Sequence, residues 1–484
     1  MVSRATLPAR DAALMTSLLV CWCLLAPSHA FARQDGTERT VVTAAGEQYS
    51  AGALHRLVLG RHYRDLWATP MEVEVLDLSD FAGGLEPLRT GDGHQTRSLR
   101  FLGADGREYS FRPVDKDPSA VLDSMFRETV VGDLVQDGIS AAHPLGALVA
   151  APLLDAAGIL HVNPQLRVMP DDPVLGEFRE EFAGMLGLIE ERPNENSGGA
   201  TAFRGTARVI ASETLIERLE ASPQHRVNAR AFLTARLMDV FLGDWDRHRG
   251  QWRWATYVED DNAQHSWLPV PTDRDQAFSK FDGIAPRLLS LYMPQFVRFE
   301  ASYPGIERLH WNGRALDRWF LSGLERPVWD SIGVELKTKL DDEVIEEAVG
   351  RLPPEIHVQN AEELTAALKG RRDHLEEAWH DFYRMLAQQV DIHATDADEV
   401  IVVDRSQRGR VLVTMTAPEH GDAPYFRRSF SVDETREIRI HAKVGNDRIE
   451  VRGGTTRELT VRVMGGPGDE DFQVDATGGG SSPV

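Results

Sequence analysis

Cysteine is nearly absent. The 484-residue chain has two, Cys21 and Cys23, both inside its N-terminal apolar stretch. Past that stretch there is no disulfide, no thiolate metal site and no cysteine nucleophile, so a folded body must be held by core packing or by bound metal. Positive charge is also scarce: 53 Lys and Arg stand against 75 Asp and Glu, a formal net charge of -22, and no basic block occurs. Phosphate and anionic-surface binding draw on net or clustered positive charge, so the composition argues against a nucleic-acid or anionic-membrane partner. After the N-terminus no apolar run reaches about 18 residues, and no transmembrane helix is expected. G-x-S-x-G, H-E-x-x-H and the Walker A loop are missing too, which removes the commonest hydrolase, zinc-protease and P-loop signatures.

At the N-terminus, Arg4 and Arg10 precede "SLLVCWCLLA" (Ser17–Ala26), and "AFA" (Ala30–Ala32) follows at cleavage spacing. This pattern predicts an export signal over 1–32, with an uncleaved anchor as the alternative. Val20 before Cys21 speaks against a lipoprotein. The expected location is periplasmic or extracellular. With 42% hydrophobic residues the remainder can build real cores.

The patterning predicts an α+β protein. A polar lead-in (33–70) precedes a β-rich region (71–200), with strands expected at Met71–Leu78, Arg97–Gly103, Glu108–Val114, "LRVMPDD" and "FAGMLGLIEERP", and a helix at Ala120–Gly138. A helix-rich region (201–390) follows. It has a helix over Arg226–Leu242 and a last helix starting at Asn360, where Glu363 completes a capping box. Residues 391–476 read as a separate all-β domain without a long internal repeat, and 477–484 as a flexible tail.

Chemistry concentrates in "FLGDWDRHRGQWRWA" (Phe241–Ala255) and "PTDRDQAF" (Pro271–Phe278), which a hairpin's length separates. Phosphoryl transfer needs a carboxylate to orient an acceptor hydroxyl, an oxygen ligand for metal a few residues on, and a second metal-binding Asp after the next strand pair. Asp246, Gln251, and Asp273 or Asp275 have that spacing, and His248 is a further candidate in the first loop. The tryptophans Trp245, Trp252, Trp254 and Trp267 are read as core filling.

These two loops resemble the catalytic and metal-binding loops of the atypical kinase-like fold, as in phosphoinositide kinases and the Golgi casein kinase family. The resemblance implies a two-lobed domain in which Asp246 is the catalytic Asp, Gln251 stands where the family has Asn, and Asp273 is the Asp of the second motif. Gln keeps the amide oxygen but lengthens the arm. "EYSFRPVDKDP" resembles the strand that carries the ATP-binding lysine. Arg112 occupies the matching position, Lys116 is the nearest lysine, and Glu128 is the expected carboxylate partner. "RTGDGHQT" (Arg89–Thr96) sits where a phosphate-covering loop would. The implied cofactors are Mg2+ or Mn2+ with ATP or another nucleotide. The same loops, with "HYRDLW", are similar to a group of exported bacterial proteins. Two functions stay open: a transferase acting on an envelope or extracellular substrate, and a non-catalytic, pseudokinase-like binder of a sugar, lipid headgroup or protein.

In the last domain "HATDADEVIVV", "KVGNDRIEV" and "GGPGDEDFQV" resemble turns of the calcium-binding nonapeptide, which implies Ca2+. Ordinary Asp/Gly turns of a β-sandwich are the preferred reading.

Overall fold

The computed structural model describes residues 39–91, 98–116, 136–194, 202–260, 263–454 and 459–474. The export signal, the tail, Glu128, residues 92–96 of the glycine-containing loop and most of the expected helix Ala120–Gly138 lie outside the described residues.

The first lobe is built on a five-stranded antiparallel sheet. Its order is Leu85–Thr90, Leu99–Gly103, Glu108–Pro113, Leu186–Glu191, Gln165–Val168. Alternation explains the sheet: Leu99, Phe101, Phe111 and Ile189 all face one fully buried core. The Asp-Gly step between the second and third strands turns with Gly106 at φ +80. Met71–Leu78 is strand only to Glu74, where it pairs with Thr40–Thr43; beyond that, Val75 makes a single bridge to Val168.

The second lobe centres on the helix Ala229–Leu242, almost wholly buried from Phe232 onward. It starts three residues later than its periodicity predicts. His225–Val227 is instead a strand, parallel to His265–Trp267, and the Asn228 side chain caps the helix by accepting the Ala231 N–H at 3.0 Å. A four-stranded sheet lies beside it in the order Arg208–Ala211, Trp252–Thr256, His265–Pro271, His225–Val227. Helices Arg326–Lys339, Asp342–Val349, Pro354–Asp373 and Leu375–Ala387 close the lobe. The capping box at Asn360 is not a helix start. Pro354 opens that helix at its first turn, and Asn360 is buried mid-helix with its Oδ1 3.1 Å from His143 Nε2. Glu363 pairs with Lys280 at 2.5 Å. The chain breaks at His374 and starts the final helix.

The C-terminal region is all-β, but it is a short solenoid, not a sandwich. Gln389–His393, Glu437–His441 and Thr460–Met464 form one parallel sheet. Val400–Asp404, Arg448–Arg452 and Asp471–Val474 run parallel in a second. Each coil thus supplies one strand to each sheet. A turn of the coil takes 23 residues between Asn446 and Asp469 but 48 between Asp398 and Asn446. The difference, 25 residues, holds the antiparallel hairpin Arg410–Thr416 with Phe426–Ser431. A repeat therefore exists, and the insertion hides it.

The acidic turns stack coil on coil. Asp398 Oδ1 accepts the Asn446 N–H at 2.7 Å and Asp447 Oδ1 accepts the Glu399 N–H at 3.0 Å, each between coils, while Glu470 Oε1 accepts the Gly466 N–H at 2.8 Å within its own turn. Gly466 and Gly468 are required there because a Cβ on either would overlap a carbonyl of the coil before. These three oxygens accept N–H groups, and among the described residues no three His, Cys, Asp or Glu groups converge as a metal site.

Glu399 and Asp447 are fully buried, and each has one carboxylate oxygen without a partner. Burial, reinforced by their mutual repulsion, pushes Glu399 up to about 7; burial with the charges of Glu470 and Asp398 pushes Asp447 up to about 6. Both folded values lie above the unfolded ones. Their contribution is therefore complete below about pH 4 and is lost as pH rises through 6 to 7. Urea unfolding followed at pH 5 and pH 8 is expected to show the solenoid less stable at pH 8 by on the order of 2–3 kcal/mol, and Glu399→Gln to flatten that dependence.

Candidate active site

The helix Ala229–Leu242 ends at Gly243, left-handed at φ +66, where a Cβ would also press on the Phe299 ring. The Asp244 N–H turns back to the Asp239 carbonyl at 2.9 Å. The chain leaves as a loop (244–251), becomes the strand Trp252–Thr256, and hairpins into His265–Pro271. Trp252 stands opposite Pro271, so the loop before the hairpin and the loop after it emerge side by side. Two backbone bonds join them: Thr272 N–H to Gln251 O at 3.0 Å, and Phe278 N–H to Leu242 O at 2.8 Å.

Arg247 completes the joint. It is fully buried and donates from Nη1 to the carbonyls of Thr272 (2.9 Å) and Asp273 (3.0 Å), and from Nη2 to that of Gln251 (2.9 Å). Its guanidinium lies 4.7 Å from the Trp252 ring centroid. Beneath it runs a buried ion network. Arg236 bonds Asp239 at 2.5 Å and Asp317 at 2.7 and 3.0 Å, and His310 closes on Asp317 at 2.8 Å. Arg274 bonds Asp239, and Asp244 at 2.9 Å. Burial opposes ionisation of Asp239 and Asp317, but the arginines outweigh it and hold both carboxyls below their ordinary range; for Asp244 burial wins and its pKa is raised.

The structure brings Arg112, Lys116, Asp246, Gln251, Asp273 and Asp275 together where the first lobe's sheet meets the two loops. Arg112, on the first lobe's central strand, reaches Asp273 at 3.0 Å. Lys116 is ion-paired with Asp275. The Gln251 amide hydrogen-bonds the Asp273 carboxylate. Burial alone would raise Asp273, but Arg112, Lys116 and Arg247 hold it down at about 2. Burial lowers the Lys116 ammonium against the pull of Asp273, Asp246 and Asp244, so all three carboxylates act on one lysine. Asp273 takes φ +57, a left-handed conformation uncommon outside glycine and frequent at functional sites. His248 is placed otherwise. It is exposed, and its Nδ1 accepts the Gly250 N–H at 3.1 Å as a turn cap. Trp252, Trp254 and Trp267 are fully buried, as core filling requires.

Three participants carry no sequence signal. Asn312, 66 residues from Asp246, donates from Nδ2 to Asp246 Oδ1 at 2.9 Å. Glu190 lies 3.4 Å from Arg112, and burial raises its pKa against the pull of that cation. His161, with Glu190, Asp273 and Arg274, lines a cavity of about 20 Å3, room for about one water. The donors a divalent ion would need, Asp273, Asp275 and the Gln251 amide oxygen, are of the right hard-oxygen type and adjoin one another. Here Arg112 and Lys116 neutralise the two carboxylates.

No family model and no curated protein matches the chain. Among solved structures, the Helicobacter pylori proinflammatory kinase CtkA aligns with 61% of this chain and 92% of its own (11% identity, TM-score 0.32). The Golgi casein kinase aligns with 63% of this chain and 74% of its own (11%, 0.33). HipA with HipB and operator DNA from Shewanella oneidensis MR-1 aligns with 61% and 67% (12%, 0.28). At such scores the similarity carries no residue roles, and the site stands on its own geometry.

Truncating one member of a buried ion network strands its partners. Arg247→Met is therefore expected to cost about 3–5 kcal/mol in urea unfolding, while Asn312→Leu at the partly exposed Asp246 costs about 1 kcal/mol or less.

Proposed function

We propose that this chain is an exported kinase-like phosphoryl or nucleotidyl transferase using a nucleotide. The observation that carries the reading is the convergence of Arg112, Lys116, Gln251 and Asp273 at the mouth of a two-loop joint that also presents Asp246. Arg112 and Lys116 supply fixed positive charge for nucleotide phosphates, Arg112 as a bidentate fork. Asp246 orients an acceptor hydroxyl and takes its proton as the acceptor oxygen bonds to phosphorus and the bond from phosphorus to the departing group breaks, the nucleoside diphosphate leaving in phosphoryl transfer and pyrophosphate in nucleotidyl transfer. Asn312, by donating to Oδ1, leaves Oδ2 of Asp246 for that hydroxyl. A divalent ion bound by Asp273, Asp275 and Gln251 would neutralise phosphate charge when present. His248 has a structural part in this reading, as the cap of the turn at Gly250.

A second reading, a binding protein without catalysis, draws on one observation: both candidate metal-binding carboxylates are already paired with cations of the protein.

The two readings part in a labelled-nucleotide assay with Mg2+ or Mn2+. Turnover, as transfer or slow hydrolysis, supports the transferase. Asp246→Asn is then expected to lower the rate by about 10²–10⁴ while leaving nucleotide affinity within a few fold. Nucleotide binding without turnover supports the binding protein.

A further inference from the structure

Two short helices far apart in sequence, Ala53–Leu59 and Ile284–Leu289, pack side by side on the surface. They are locked at their ends. Gly60 and Gly283 approach so closely that a Cβ on Gly283 would lie 2.5 Å from the Gly60 nitrogen, and Asp282 accepts the His62 N–H at 2.8 Å. From this fixed pair large apolar side chains stand proud: Leu54 (75% exposed) and Leu57 (61%) on the first helix, Leu288 (60%) on the second, and Leu291 (74%) and Tyr292 (87%) on the turn that follows. A contiguous surface of this kind marks an interaction site. Leu291 and Tyr292, an aliphatic–tyrosine pair, stand out on the turn after the second helix.

The local charge identifies that medium. The overall charge is -22, yet 50–64 and 283–299 contain no Asp or Glu and five arginines: Arg56, Arg61, Arg64, Arg287 and Arg298. Among the described residues three of the five are paired with bordering carboxylates, Arg56 with Asp65, buried Arg64 with Asp137 and Arg298 with Glu300, which leaves Arg61 and Arg287 as the cations free to meet a ligand. Arg61 follows the first helix, Arg287 lies on the second, and both are exposed. Protruding apolar side chains with arginines beside them fit a lipid interface, with the ring at headgroup level and the cations against lipid phosphates.

We propose that this surface docks the protein peripherally on an anionic lipid bilayer. The net charge, a sum over the whole chain, does not report the exposed Arg61 and Arg287 beside this surface. The inference does not depend on the transferase reading.

Vesicle co-sedimentation of the full chain tests it, with phosphatidylcholine alone and with about 30% phosphatidylglycerol added. Wild type is expected to bind the anionic vesicles more strongly. The double variant Leu291→Asp/Tyr292→Asp should bind both kinds at least about ten-fold more weakly, and Arg61→Glu/Arg287→Glu should lose the anionic preference. All four positions are exposed, and unchanged melting temperatures confirm that the variants fold. Failure of wild type to sediment with either vesicle overturns the proposal. So does equal binding by the variants, which would assign lipid affinity to another segment. A concentration-dependent dimer in light scattering, abolished by Leu291→Asp/Tyr292→Asp without vesicle binding by wild type, would make the surface a self-association face and overturn it as well.

Discussion

One guanidinium joins two loops that stand 25 residues apart in sequence. Arg247 donates to Thr272, Asp273 and Gln251 at once, from a position fully closed to water. Three backbone carbonyls cannot neutralise a buried cation, so the charge must be answered elsewhere. Asp239 and Asp244, at 3.5 and 3.6 Å, answer it, and they are shared with Arg274, while Asp239 also binds Arg236. Arginines and aspartates are thus matched in a connected network, where any deletion leaves an uncompensated charge. The cost of burying so much charge buys geometry. Asp246 and Asp273, each on its own loop, are held toward the same site.

The site lies where the first lobe's sheet meets the joint. Arg112 and Lys116 come from the first lobe and the carboxylates from the second, so the ion pairs between them also set how the lobes meet. A phosphate entering the site would compete with Asp273 and Asp275 for the two cations, and a divalent ion would compete with the cations for the carboxylates. Ligand and metal together can satisfy both sets, which either one alone cannot. On the proposed function, the pairs hold the place of an ionic ligand.

Much of this was legible in the sequence, and the exceptions have physical causes. The two loops were visible because acidic, amide and tryptophan residues cluster around a hairpin of strongly alternating strands. Asn312 and Glu190 were not, because an asparagine before glycine and a glutamate at a strand end are ordinary until folding brings them beside Asp246 and Arg112. Asn360 and Glu363 imitate a helix start because a capping box is a local pattern; only the tertiary partners His143 and Lys280 reveal that both residues lie mid-helix. The solenoid escaped because the hairpin insertion breaks its period after the first coil, leaving one undisturbed step of 23 residues.

The central claim is that the Arg247 joint makes one ionic ligand site from two loops and a strand. Crystals grown with a non-hydrolysable nucleotide and Mn2+ test it directly through the anomalous signal of manganese. The account predicts a peak bonded to Asp273 and the Gln251 amide oxygen, with Arg112 or Lys116 turned from its carboxylate to the nucleotide phosphates. Ordered nucleotide elsewhere, or an empty site with the Arg112–Asp273 and Lys116–Asp275 pairs intact at saturating ligand, would contradict it.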